Sequence, residues 1–307
     1  MAPATIMASV PQNAPTISSE LRAHAHLEAS LTLDFARDAF TGHTVLAASH
    51  QNPPLKVVRA FTVQDGAALA HLHNVSGGLL GGDQLSLKVN VGAGAHVQLT
   101  TTGATRVYRP RREAPPATQS NEFTVNEGAL LEYVPDAIIP YAGARFSQRT
   151  TIHLAQGAGI FWWEILAPGR EARGESFAYD SVEMRADIFA LGQPIVCERV
   201  RIEPRMRSMQ SFGRLGPYRT WATFWIAQVC RSVAEWLALE HELREQALPF
   251  TRHGETLWAV STLPAHGLMV RCVAVNGRHV LPGLQTLWQT AKRHLHGCDA
   301  VPPRKVN

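Results

Sequence analysis

Residues 71–110 read HLHNVSGGLLGGDQLSLKVNVGAGAHVQLTTTGATRVYRP. A glycine-rich turn comes early in the stretch, Gly77-Gly78-Leu79-Leu80-Gly81-Gly82-Asp83. Two runs then alternate apolar and polar residues, Leu85 to Val91 and His96 to Thr101, which is the period-two pattern of strands. The stretch closes on Arg106, Tyr108 and Arg109. Four glycines around two leucines count against a helix, where each glycine costs about 1 kcal/mol. They suit backbone that turns sharply or passes close to another segment. A phosphate-binding loop would add a lysine, a hydroxyl and a following helix. All three are missing, so the glycines predict a tight turn, with Asp83 placed to cap it through its own backbone.

Working outward, the pair Gly-Ala recurs at Gly66-Ala67, Gly94-Ala95, Gly128-Ala129 and Gly157-Ala158, about every 28 to 34 residues, each time before an apolar run. That period predicts stacked β units, a β-helix or solenoid-like arrangement of sheets. Alternating or apolar runs predict strands at residues 26–36, 44–47, 122–125, 130–134, 146–154, 160–166, 182–188 and 195–202. Pro135 to Tyr141 is expected to be extended, because proline disfavours helix in the residue before it.

The C-terminal third changes period. Val229, Val233, Trp236 and Leu243 recur at helical spacing, with Pro249 beyond. Leu284, Leu287, Trp288, Ala291 and Leu295 share the face of a second helix. Residues 257–263 and 268–275 read as a strand pair between the helices. The expected fold is mainly β with two α-helices in the C-terminal third. Helix–strand alternation, the mark of a parallel α/β fold, is missing. Residues 1–25 read as a disordered leader, 26–300 as a single β-rich domain and 301–307 as a flexible tail.

The formal net charge is +4 over 307 residues, with scattered basic groups, which does not make a nucleic-acid footprint. Four cysteines without CxxC spacing suit free thiols in a reducing cytoplasm rather than a disulfide framework. No secretory signal and no membrane span is read. Of three HxH pairs, His71/His73 falls on a strand, where both rings share a face. Two ligands fall short of the four of a durable zinc site. Glu132, Asp136 and Glu164 interrupt apolar strands, and Glu175 sits in a loop. Alternation leaves open whether Glu164 points inward, where it would need a partner, or outward. The aromatic run at Trp221, Phe224 and Trp225 suggests apolar surface awaiting a partner. No nucleophile–base or metalloprotease pattern is present.

Several motifs, in order, resemble the UreD family of urease accessory proteins, called UreH in some systems. They are Pro54 to Phe61, Leu72-His73 through Gly81-Gly82-Asp83, Thr101 to Arg109, Leu131 to Asp136 with Phe146, Gly174 to Phe177, and Pro303-Arg304. Departures are Asn74-Val75-Ser76 ahead of Gly77, glutamate rather than aspartate at Glu164, and a less aromatic Ile138 to Tyr141. The resemblance implies a β-helix-like scaffold that does not catalyse a reaction. It implies a nickel-insertion chaperone with no tightly bound cofactor and nickel only in transit. The implied partners are UreF, the GTPase UreG and apo-urease, in a hetero-oligomer. On it, Asp83, Glu164, Glu175 and His73 are expected as weak nickel contacts. Gly77, Gly78, Gly81, Gly82, Arg106, Tyr108, Arg109 and Asp136 are expected to shape the turn or an interface. Leu284 and Trp288 are expected to offer helix surface to UreF. The competing readings are a β-solenoid hydrolase of carbohydrates or esters, which needs a close carboxylate pair in an open groove, and a plain β-rich binding module.

Overall fold

A computed structural model describes residues 27–111 and 114–303. The expected leader and the last residues of the expected tail lie outside the described residues. The described residues open on a hairpin of β1 (Glu28–Arg37) and β2 (Thr44–Asn52). Short β3 (Leu55–Lys56) and β4 (Ala60–Thr62) lead to β5 (Ala68–Asn74). Then follow β6 (Gln84–Val91), β7 (His96–Thr101), β8 (Thr105–Val107), β9 (Ala117–Val125), β10 (Leu130–Tyr133), β11 (Ile138–Pro140), β12 (Arg145–Leu154) and β13 (Gly159–Leu166). A second hairpin is β14 (Ser181–Ala190) and β15 (Gln193–Ile202), and β16 (Thr220–Gln228) leads into α1 (Val233–Ala247). The hairpin β17 (Thr256–Thr262) and β18 (Gly267–Ala274) precedes α2 (Val280–His296).

The strands form two sheets. The first has seven strands in the order β15-β14-β12-β9-β6-β1-β2. The second has 11, with the main path β17-β18-β16-β13-β10-β7-β5-β3. From β5 to β14 the chain passes back and forth between them. Each arriving strand lies parallel to the one laid down on the previous visit, as β6, β9, β12 and β14 do in the first sheet. Strands β5, β7, β10 and β13 do the same in the second. Antiparallel strands finish the sheets at β2, β15 and the β16-β18-β17 group.

Three of the four Gly-Ala pairs are crossings at one end of the molecule, whereas Gly66-Ala67 lies between β4 and β5, an antiparallel pair within the second sheet. Residues 92–95, 126–129 and 155–158 join β6 to β7, β9 to β10 and β12 to β13. Gly94, Gly128 and Gly157 take φ values of 63°, 61° and 66°, which glycine reaches without a Cβ penalty. Consecutive turns bond to one another: Gly94 N–H donates to the Glu127 carbonyl and Gly128 N–H to the Gln156 carbonyl, each at 2.9 Å. The alanines are buried beneath them. The opposite end is made of longer loops, at residues 75–83, 167–180 and 203–219.

Burial explains why the strands read so differently. One face of the first sheet meets water, so β12 alternates buried and more open residues. The second sheet is covered on both faces, and all of β13, GIFWWEIL, is buried. One apolar layer lies between the sheets, with Leu33, Phe123, Phe146, Trp162 and Trp225. Another lies between the second sheet and the helices, with Phe161, Trp163 and Phe224 against Trp236, Leu239, Leu243 and Leu287. A capping box starts α1, in which the Ser232 side chain and the Glu235 carboxylate each accept the other's backbone N–H. Gly297, left-handed at φ 68°, ends α2.

Two expectations are corrected here. Leu284 and Trp288, expected on a partner-facing helix surface, are 1% and 0% exposed and face the second sheet. Their spacing marks the stripe that folding buries. Phe224 and Trp225 are also buried, and only Trp221 is partly open.

Candidate functional site

The glycine turn at the looped end crosses closely over β8 and the segment after it. A Cβ on Gly78 would lie 2.6 Å from the Arg106 carbonyl oxygen, and one on Gly81 would lie 2.8 Å from Pro110 Cα. Leu79 donates to the Arg106 carbonyl and accepts from Tyr108 N–H, both at 2.8 Å. Asp83 is 7% exposed, and its carboxylate takes the Leu80 N–H at 2.8 Å and the Leu27 N–H at 3.4 Å. It therefore caps its own turn and ties it to the start of β1. Tyr108 donates its hydroxyl to the Gly77 carbonyl at 3.1 Å and packs edge-on against Tyr141. The Arg170 guanidinium lies 4.1 Å from the centre of the Tyr141 ring and also pairs with Glu175. Glu175 accepts the Ala142 N–H as well, at 3.1 Å. The Arg170 hydrogen bonds hold the Glu175 carboxyl below the usual carboxylate range.

A cavity of about 240 Å³ opens beside this turn, lined in part by His73, Gly77, Thr101, Arg106, Gln119 and Tyr133. Two of these residues, Gln119 and Tyr133, belong to the layer between the sheets. From there a polar seam crosses the apolar layer. Gln119 stands in register with Gln148 on the neighbouring strand. Gln148 donates to Glu164 Oε1 at 2.5 Å. Glu164 stands opposite Thr223, and Thr223 opposite Arg271. Arg271 pairs with Glu198 across the two sheets at 2.8 Å. Glu198 and Arg271 line a second cavity of about 530 Å³. Asn121 and Thr150 form a buried branch of the seam at 3.1 Å.

Glu164 is thus an inward-facing carboxyl, 8% exposed. Burial, helped by the charge of Glu198, pushes its pKa up to about 8. It is held as a neutral acid near neutral pH, on a line of amide and hydroxyl groups between two cavities. The four expected nickel contacts are not gathered in one place. His73 lies at the first cavity, Glu164 inside, Asp83 in its turn and Glu175 in its ion pair. Among the described residues no three His, Cys, Asp or Glu side chains are placed to hold one metal ion.

Comparison with known proteins bears on this arrangement. The sequence model of the UreD urease accessory protein family matches residues 27–307. The chain belongs to the UreD family of urease accessory proteins. The UreD protein of Herpetosiphon aurantiacus is 43% identical over 285 residues, covering 93% of this chain and 97% of that one. The UreD of Halalkalibacterium halodurans is 34% identical over 208 residues, covering 67% and 76%. The UreD of Pseudomonas aeruginosa is 32% identical over 287 residues, covering 93% and 96%.

The remaining expected residues lie at the looped end. Asp136 exchanges bonds with Thr101, its N–H donating at 2.8 Å and its carboxylate accepting at 3.0 Å. Arg109 packs against Gly143, and Arg106 contributes its carbonyl to the glycine crossing. One charged centre falls outside the expected set. Glu132 is fully buried on the helix-facing side of β10. Its Oε1 receives Lys292 at 2.8 Å and lies 2.5 Å from His96 Nε2, while Oε2 accepts the Trp288 indole N–H at 2.6 Å. Burial alone would raise the Glu132 pKa, but the bonds and charges of His96 and Lys292 outweigh it and keep the group ionised. The sequence signal was Trp288 and Lys292 one turn apart on a helix, opposite a glutamate in an apolar strand.

Proposed function

We propose that this UreD chain is a non-enzymatic scaffold in urease maturation that passes nickel toward apo-urease, working with UreF and UreG in the cytoplasm. The observation that supports the passage is the polar seam. It sets polar residues in register through an otherwise apolar layer, from the cavity beside the glycine turn toward the cavity at Glu198 and Arg271. Nickel is cargo in this reading. A single carboxyl flanked by amide and hydroxyl oxygens binds a divalent ion weakly and lets it go, whereas a cluster of thiolates or imidazoles would keep it. Glu164 would meet the ion by giving up its proton. Two further readings go with this one. The alternation of parallel strands between the sheets supports a stacked, coil-like fold. The second sheet contributes to both apolar layers, which supports one domain over residues 26–300.

A glycosidase-type reaction needs two carboxylates facing one open groove. Glu164 is buried and bonded to Gln148, so no observation favours that alternative.

The test is urease activity in cells that carry the urease genes, with and without this chain, at fixed nickel. Wild type is expected to restore activity. Glu164→Gln keeps the shape and removes the ionisable group, so activation should fall at limiting nickel and recover partly as nickel is raised. Failure of the wild type to restore activity defeats the maturation role. Full activation by E164Q at every nickel level defeats the route through the seam.

A further inference from the structure

We propose that the arginine-bearing loop at residues 203–219 and the cavity beneath it form a docking surface for an acidic segment of a partner protein, anchored by one apolar side chain. This rests on the maturation reading above and adds to it a place and a chemistry of contact.

The loop is built rather than slack. Arg207 N–H donates to the Glu203 carbonyl, Arg214 N–H to that of Ser211, Leu215 N–H to that of Met209 and Tyr218 N–H to that of Leu215. The Arg214 guanidinium also bonds the Ser208 carbonyl at 3.0 Å. Yet this ordered loop presents Phe212 and Met206 outward, 102% and 81% exposed. A large apolar side chain held out on a pre-ordered loop loses little freedom on binding, which is how interface anchors are made.

The cavity complements those anchors. Its volume is about 530 Å³, with Val200, Ile202, Met209, Leu215 and Trp221 among its walls. Charge decides the occupant. Arg201 is neutralised by Glu203, Arg205 by Asp180 and Arg271 by Glu198. Arg207 and Arg214 line the same cavity and have no acidic partner among the described residues. Two unneutralised guanidinium groups beside apolar walls fit carboxylates around an apolar side chain. Glu198 and Arg271 lie in both the cavity wall and the seam, so a segment seated here would meet that end of the seam.

The experiment uses the full chain, tagged and expressed in cells with the urease genes. The urease subunits and other accessory proteins recovered with it are quantified at low and at high salt. Recovery of at least one of them is expected to fall at least about tenfold in Arg207→Glu/Arg214→Glu. It should fall about threefold or more in Phe212→Ala, and hold in Arg207→Lys/Arg214→Lys. Wild-type recovery should weaken as salt rises. Far-UV circular dichroism shows that the variants are folded. Unchanged recovery in R207E/R214E overturns the proposal, and so does wild-type recovery that disappears on RNase treatment, which would make the surface a nucleic-acid site. If wild type neither activates urease nor recovers any of its components, the maturation reading is what fails.

Discussion

Glu132 and Glu164 stand on adjacent strands of one sheet, are buried to nearly the same degree, and hold opposite charge states. Glu132 faces the helices, where Lys292 and His96 reach it, and it stays ionised. Glu164 faces the first sheet, where an amide and a second carboxylate are its neighbours, and it keeps its proton to about pH 8. Burial is common to both, so it does not decide the outcome. What decides is whether a cation stands within bonding distance. A carboxylate saturated by cations is fixed and serves the architecture. A protonated acid with one amide donor can still change state, and that is what a transit site requires.

The largest expected effect tests the first half of that contrast. Glu132→Ala leaves Lys292, His96 and the Trp288 N–H without their acceptor inside the helix layer. The expected loss is about 3–5 kcal/mol in urea unfolding. A loss below about 1 kcal/mol would mean that the charged centre does not organise α2.

The second half has a pH signature. The folded pKa of Glu164 is raised from 4.5 to about 8, so between those values the folded state holds a proton that the unfolded state has lost. Its stabilising contribution is complete below 4.5 and is lost as pH rises toward 8. Across that window wild type should lose about 2–4 kcal/mol relative to Glu164→Gln, which has no proton to lose. Parallel stability curves for the two proteins would show that Glu164 is already ionised when folded. The helix side should respond in the opposite direction. Burial lowers the His296 pKa from 6.5 to about 4, so its contribution is complete above 6.5 and is lost on acidification toward 4.

Smaller effects refine the comparison. Trp288→Phe removes one N–H donor from Glu132 and keeps the ring packing, for an expected cost of about 1–2 kcal/mol by thermal unfolding. Asp83 is a third buried acid, satisfied by backbone N–H groups alone. Asp83→Asn should cost about 1 kcal/mol. It should leave the pH profile of Glu164 unchanged, because the turn and the seam are separate structures.

The strand pattern of β6 and β12 was legible because buried apolar residues alternate with more open polar ones along each. The two helices and the Gly-Ala crossings were legible for the same reason, that local periodicity is set by local geometry. Glu164 was not legible. Alternation assigns a side only when one side is wet, and β13 is dry on both. The Glu132 centre joins residues 156 and 160 positions apart, which no local pattern records. The helical stripe at Leu284 and Trp288 was read correctly as apolar and wrongly as surface, since a period gives the face of a helix and not what covers it. For Asp83 the glycines called for a turn but left open whether its carboxylate caps that turn or faces inward as a nickel contact, and its bonds to the Leu80 and Leu27 N–H groups make it the cap.

The bonded glycine turns also bear on how such a chain can change over generations. An added residue at 92–95, 126–129 or 155–158 would break the bond to the neighbouring turn and shift the strand that follows, turning its inward side chains outward. At the other end the glycine turn is bonded to its neighbours in the same way, but the loop at residues 203–218 makes its backbone bonds within itself and absorbs insertions at little cost. Novelty in length and chemistry therefore has one outlet. Relatives that diversify can do so where the cavities open, while the far end keeps time for the whole molecule.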